Sequence, residues 1–372
     1  MSPNRKKIAF IGSRGIPANY GGFETFLEEV SKTIQQNANF QIIVVSDLEQ
    51  KIKLKGLKNY FGIKILYSKY SKSKNPLLFN FDSMRKVWNA DIIYCCGVGN
   101  AFSVFLPFLF RKKYITNPDG IGWKRLKYSS FGRTILKVMF MITSAFSPYI
   151  ICDSKEIEKI LRKKFFRKKN ITTIEYGAHI NKTVHLQNSV TRSILEKYNL
   201  KSMKYHLVVS RLEPENNIDT IIIGYSKNTR KFPLIIVGNI SQTKYVRNLT
   251  DLQNKEVTFV GGIYDSNELN VIRSNAYSYI HGHSVGGTNP SLLEAMASKN
   301  LCVCHENEFN KGLVGKDGFY FKTFTEISSI FEKIEESNLD AMRGRVYEKI
   351  RDYYNWENIT NLYISYFQKI SK

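Results

Sequence analysis

Acidic residues are scarce in this chain. Its 372 residues hold 32 Asp and Glu against 55 Lys and Arg, a formal net charge of +23 at neutral pH. Such an excess attracts nucleic acid, acidic lipid or phosphorylated small molecules, and composition alone does not choose among them. Long apolar runs are also missing. Residues 101–110 (AFSVFLPFLF) are too few to cross a bilayer, and residues 135–151 are interrupted by Lys137 and Pro148; a span takes about 20 apolar residues. The opening MSPNRKKIAFIG has only a short apolar run before Gly12, and reads as a buried first strand, not a signal peptide. Cysteine is sparse: Cys95, Cys96, Cys152, Cys302 and Cys304 lie in or beside apolar runs, which predicts buried, reduced thiols and no disulfide framework. A hydrophobic fraction of 43% with 23% charged residues excludes global disorder.

What is present is an alternation of short β-branched runs with helical patterns. Strands are expected at 7–11, 41–45, 63–67, 91–95, 114–116, 149–152 and 171–174, and again at 206–210, 234–237, 257–260, 277–280 and 301–304. Helical patterns fall between several of them, at 22–35 and 132–145 for example. Near-continuous apolar strands of this kind indicate parallel sheets covered by helices on both faces. The pattern restarts near Lys204, so the linker is placed in 179–190. The expected class is α/β, with two Rossmann-like units facing an interdomain cleft. The domains would be 1–185 on the acceptor side, 186–354 on the nucleotide side, and a terminal helix 355–372 packed on one of them. Leu362, Tyr363, Tyr366, Phe367 and Ile370 supply that helix with apolar spacing.

Ligands of open parallel sheets bind beyond the carboxyl ends of the strands, which directs attention to two loops. Residues 12–25 (GSRGIPANYGGFET) leave the first strand and enter a helix near Gly22. Gly15, Gly21 and Gly22 permit tight turns, and the helix start offers N–H groups to an anion. An ordinary strand-to-helix turn explains the loop equally well. No Gly-Lys-Ser/Thr follows, and the glycines are too far apart for a dinucleotide fingerprint. The second loop, 282–298 (GHSVGGTNPSLLEAMAS), passes Gly286 and Gly287 and enters a helix through Thr288, Asn289 and Pro290, a strong N-terminus signal. Its amides from Gly287 to Ser291 suit a diphosphate. Glu294 lies about one turn inside a mostly apolar helix, where a carboxylate needs a partner.

The turn followed by PSLLEAMA resembles the donor-binding segment of glycosyltransferase family 4, whose fold is GT-B and whose members retain anomeric configuration. IAFIGSRGIPANYGGFETFLEE, NPDGIGWKRLKYS and SRLEPENNIDTII resemble, more narrowly, the bacterial branch containing β-1,4-rhamnosyltransferases of cell-surface polysaccharide assembly. The resemblance implies that Arg211 holds the diphosphate, that Glu294 binds the ribose, and that Gly21 and Gly22 line the site near the transferred sugar. It groups Glu215, Gly287, Thr288, Asn289 and Ser291 with the donor, and sets Asp119 beside the reacting carbon. Trp123, Lys124, Arg125, Asp153 and Tyr176 fall to the acceptor and membrane side. Two positions depart from the family pattern. A glutamate usual seven intervening residues before position 294 is Gly286 here, and a lysine usual five residues after the arginine is Asn216. Both departures look like those of the rhamnosyltransferase branch.

Several of these residues carry plainer readings. Asp119 in NPDG is equally a turn residue; Asp153 and Tyr176 are equally hydrogen-bonded structural groups. His281, His283, Cys302, Cys304 and His305 match no standard zinc spacing, and no metal is expected. Residues 161–170 (LRKKFFRKKN), Arg111, Lys112 and Lys113 beside an apolar run, and the bases around Trp123 together suggest an anionic membrane surface.

The resulting expectation is a retaining, metal-independent transfer of L-rhamnose from dTDP-L-rhamnose to a lipid-linked saccharide, at the cytoplasmic face of the cell membrane. No cofactor beyond the nucleotide-sugar is implied, and no nucleic-acid partner. The alternatives are a UDP- or GDP-sugar donor, an NAD-dependent sugar-nucleotide enzyme that would use Asp47 on a ribose, and a non-catalytic nucleic-acid binder.

Overall fold

The computed structural model describes residues 5–18, 21–37, 39–165, 169–180 and 189–372, with Lys164 by its backbone alone. The expected linker and the boundary after residue 185 fall largely on 181–188, and the middle of the basic run 161–170 falls on 166–168, outside the described residues. Two compact units result. One comprises Met1–Lys124, Tyr128–Tyr176 and Trp356–Lys372; the other comprises Arg125–Lys127 and Gly177–Asn355.

The first unit is built on strands β1 (Lys6–Ile11), β2 (Phe40–Ser46), β3 (Asn59–Tyr60), β4 (Ile63–Tyr67), β5 (Ile92–Cys96), β6 (Lys113–Asn117), β7 (Tyr149–Cys152) and β8 (Ile171–Thr173). They run in the order β3-β4-β2-β1-β5-β6-β7-β8. Every pairing is parallel except β3 with β4, a short antiparallel edge the sequence pattern does not signal. Buried on both faces, β1 and β5 are the apolar runs expected of inner parallel strands. The terminal helix Trp356–Ser371 belongs to this unit and buries Trp356, Ile359, Tyr363 and Phe367. Tyr363 packs at a tilt on Phe26 at 5.1 Å, and Phe367 meets Phe10 at 6.3 Å. Leu362, counted with the apolar face, is exposed instead.

In the second unit β9 (His206–Val209), β10 (Leu234–Val237), β11 (Val257–Gly261), β12 (Ser278–His281), β13 (Leu301–His305) and β14 (Phe319–Phe321) form an all-parallel sheet ordered β11-β10-β9-β12-β13-β14. Its core gathers Val208, Ile221, Tyr225, Ile236, Ile280, Val303 and Phe331. All five cysteines are buried and free. Among the described residues, no helix is long and apolar enough to cross a membrane.

Strand order decides where ligands can go. In the first sheet the order reverses between β1 and β5, and in the second between β9 and β12. Such switch points open a crevice at the carboxyl ends of the two central strands.

Candidate active site

In the second unit, Arg211 lies two residues beyond β9, and the loop 282–289 leaves β12, so both flank the switch point. The loop ends in the helix Pro290–Ala297. Asn289 caps it, its side chain accepting from Ser291 N at 3.0 Å, and Pro290 sits at the first turn where no N–H is needed. This corrects the expected cradle. The Ser291 amide serves the cap and Pro290 has none, so neither offers an N–H to a ligand. The Ser291 hydroxyl is also engaged: it donates to Val209 O at 3.1 Å and meets Tyr279 Oη at 2.6 Å. Ser291 thus ties the helix start to the end of β9.

The loop is held from both sides. Ser284 donates its amide and its hydroxyl to Glu215 O, each at 2.9 Å. Asn307 and Asn310 each donate to His283 O at 3.0 Å. The position usually lysine, Asn216, accepts from His283 Nδ1 through Oδ1 at 2.7 Å and donates Nδ2 to Arg211 O at 2.6 Å. That pattern makes Nδ1 the protonated nitrogen and leaves Nε2 an acceptor. Burial, with the neighbouring His281 and Arg125 charges, pushes the His283 pKa well below its ordinary value, so the ring is neutral. At Gly286 an added Cβ would stand 2.7 Å from His283 Nε2. The imidazole occupies the space where a side chain at 286 would begin, which explains the missing glutamate. Neither His283 nor its link to Asn216 was singled out by the sequence beyond a metal reading.

Arg211 is partly exposed and stands 3.5 Å from Glu213 Oε1, a loose pairing that leaves a guanidinium for an anion. Glu294 has found a partner in Arg273, at the end of the helix Ser266–Ser274: Nη2 to Oε2 is 2.8 Å. Arg273 is fully buried and was missed by sequence reasoning. The Glu215 carboxylate is buried with neither oxygen partnered among the described residues, and its carbonyl anchors the loop through Ser284.

In the first unit, Asp119 follows β6, Asp153 follows β7 and Tyr176 lies beyond β8, all at the carboxyl edge. Asp119 adopts φ +64, a left-handed conformation Asp tolerates, with its amide donating to Asn117 Oδ1 at 3.0 Å. Asp153 is buried. Burial first, then the charges of Asp153 and Asp119, push the Tyr176 hydroxyl well above its ordinary pKa, so the three are neighbours. Tyr176 also packs at a tilt on Phe26 at 5.5 Å. Gly22 opens the helix Gly22–Asn37, and Gly21 holds φ +127 against the Glu24 carboxylate. Glu24 Oε1 accepts from Arg14 N at 2.8 Å, so this turn contains a negative group of its own. Asn19 and Tyr20 of the same loop lie outside the described residues. Trp123 packs on Phe140 at 4.6 Å, Lys124 is exposed, and Arg125 groups with the second unit.

Burial depresses His281 to about 3 and raises Cys302 to about 12. Neutral imidazoles and protonated thiols in an apolar setting are core groups. Among the described residues, no group of His, Cys, Asp and Glu is arranged to hold a metal ion.

Residues 191–352 match the family model described as "Glycosyl transferases group 1". The chain has the GT-B fold. Residues 5–73 and 90–179 match a second model, described as "Domain of unknown function (DUF1972)". No curated protein matches the chain. Among solved structures, a glycosyltransferase from Rickettsia africae aligns over 100% of both chains with a TM-score of 0.74 and 16% identity. Sucrose-phosphate synthase from Thermosynechococcus elongatus aligns over 98% of this chain and 99% of its own, at TM-score 0.81 and 13% identity. Anabaena HepE in complex with UDP-glucose aligns over 98% and 99%, at 0.77 and 16%. The fold is therefore two Rossmann-like domains of the GT-B type.

Proposed function

We propose that this protein is a glycosyltransferase that transfers L-rhamnose from dTDP-L-rhamnose, with retention, to a lipid-linked saccharide in the assembly of a bacterial surface polysaccharide. The observation that carries the donor site is the placement of Arg211 and the loop 282–289 on either side of one switch point, with Glu294 in the helix that the loop enters. An arginine and a helix N-terminus are preorganised donors for the charge that develops on a departing diphosphate, and they work without a metal. In this reading the donor phosphate takes the acceptor proton as the new bond forms on the face the diphosphate leaves.

Glu294 Oε2 is engaged by Arg273, which leaves Oε1 to accept from the hydroxyls of the nucleotide's sugar. Asp119, Asp153 and Tyr176 form the acceptor end in this reading, with the catalysis at the cytoplasmic face of the membrane and no cofactor beyond the donor. A UDP-sugar is the second reading, favoured by the UDP-glucose complex of the similarly folded HepE.

The test is thermal stabilisation by dTDP, UDP, GDP, dTDP-rhamnose, UDP-glucose and NAD. Selective stabilisation by dTDP and dTDP-rhamnose, lost in Arg211→Ala, is expected. Preference for UDP compounds overturns the sugar and keeps the class. Response to NAD alone overturns the donor site.

A further inference from the structure

We infer that the helix Ser130–Phe146, together with the short helix Phe105–Leu109, is an interfacial element that seats the first unit on an anionic lipid surface. The long helix is amphipathic in the inverted sense. It turns Phe140, Thr143 and Ser144 inward, while Phe131, Ile135, Val138 and Met141 are 76%, 40%, 46% and 46% exposed. Steps of four, three and three residues put those four side chains on one face. A helix against water buries its apolar stripe, so this stripe needs an apolar phase outside the protein.

The stripe is not isolated. Phe146 meets Phe108 of the short helix at 5.7 Å between ring centroids, edge to face. Beside Phe108, the exposed Phe105, Leu109 and Phe110 extend the apolar surface. Charge selects the occupant. Between Ile92 and Cys152, Asp119 is the one acidic residue, against Arg111, Lys112 and Lys113 after the short helix and Arg133 and Lys137 on the long one. Apolar anchors rimmed by bases suit anionic headgroups over acyl chains. A second copy would bring like charge against like charge, and nucleic acid offers nothing to the apolar face. At 17 residues the helix is about 25 Å long, and it lies along the surface and does not cross it.

The inference extends the lipid-linked acceptor reading, since an acceptor confined to the bilayer is met by an enzyme docked there. It is tested on the full chain by flotation with vesicles of phosphatidylcholine alone and of phosphatidylcholine mixed with phosphatidylglycerol, at low and high salt. Salt-weakened binding to the mixed vesicles is expected. In Phe131→Trp the added indole should shift its emission to the blue on those vesicles. Val138→Glu with Met141→Glu should weaken binding at least about tenfold, with nucleotide stabilisation unchanged as proof of folding. Equal binding to neutral vesicles, or none with an unshifted indole, overturns the inference. So does a dimer in sedimentation that the double variant dissociates. A protein that still responds to nucleotide-sugar in those cases leaves the donor reading standing; loss of the nucleotide response with intact vesicle binding does the reverse.

Discussion

Arg273 Nη2 stands 2.8 Å from Glu294 Oε2, and the two side chains differ in burial, 1% exposed for the arginine and 40% for the glutamate. The arginine is anchored inside, with Nη1 3.2 Å from Asn270 Oδ1, and holds the partly exposed carboxylate from within. Arg273→Met should therefore raise the donor KM by an order of magnitude or so while lowering stability by about 1–3 kcal/mol. Arg273→Lys should restore stability more than affinity, because an ammonium lacks the planar fork. Urea titration and steady-state kinetics separate the two effects.

A dTDP-sugar donor lacks the 2′-hydroxyl. Wild type should bind dUDP and UDP within about threefold of each other, equivalent to less than ~0.7 kcal/mol. Calorimetric titration with this pair, which differs in one oxygen, is the direct measurement. A UDP preference of tenfold or more would contradict the dTDP-sugar reading.

Arg211→Ala should weaken nucleoside diphosphates by about 10²-fold, the scale of a lost charge-assisted contact, and leave the corresponding nucleoside nearly unaffected. Competition between thymidine and dTDP for the variant measures the difference. An equal loss for both would place Arg211 away from the phosphates.

Gly286→Ala should cost about 1–3 kcal/mol through the clash with His283 Nε2. His283→Ala in the same chain should recover most of the clash energy but loosen the loop, because the link to Asn216 Oδ1 is lost. A double-mutant cycle read by thermal unfolding gives the coupling.

Acid should destabilise the second unit early. His281, at about 3, and His206 and His283, also lowered, are held below their unfolded value of about 6.5 chiefly by burial. A histidine with a depressed folded pKa leaves stability complete above the unfolded value. As pH falls below about 6.5 the unfolded chain takes up protons that the fold refuses, and stability declines by up to ~1.4 kcal/mol per pH unit for each such ring. Glu335, lowered by its hydrogen bond from His206 although burial opposes this, adds its loss only below about pH 4.5. Melting temperature measured from about pH 7.5 to 5 should fall, and His281→Gln should flatten the slope.

The alternation of apolar strands with helical segments was legible because inner parallel strands are buried on both faces. β10 lies where its apolar run does, and β1, β5 and β13 differ from theirs by a residue or so. β3 and β14 were not legible, being two and three residues long at sheet edges. The turn before Pro290 was visible because Asn and Pro carry their backbone preferences locally. Which amides it leaves was not, since that depends on where the Asn289 side chain turns.

The sequence by itself determined the two α/β units, the Gly-rich turns at strand ends, the helix start at Pro290 and the excess of positive charge. Each of these rests on local backbone preference, on hydrophobic periodicity or on summed composition. Tertiary structure alone decided that Arg273 finds Glu294, that His283 fills the space beside Gly286, and that Ser291 is consumed by Val209 and Tyr279. It also decided that the apolar stripe of the helix Ser130–Phe146 faces outward. Periodicity reveals that a stripe exists, but an inward and an outward stripe have the same period, and only the packing of the neighbouring elements tells them apart.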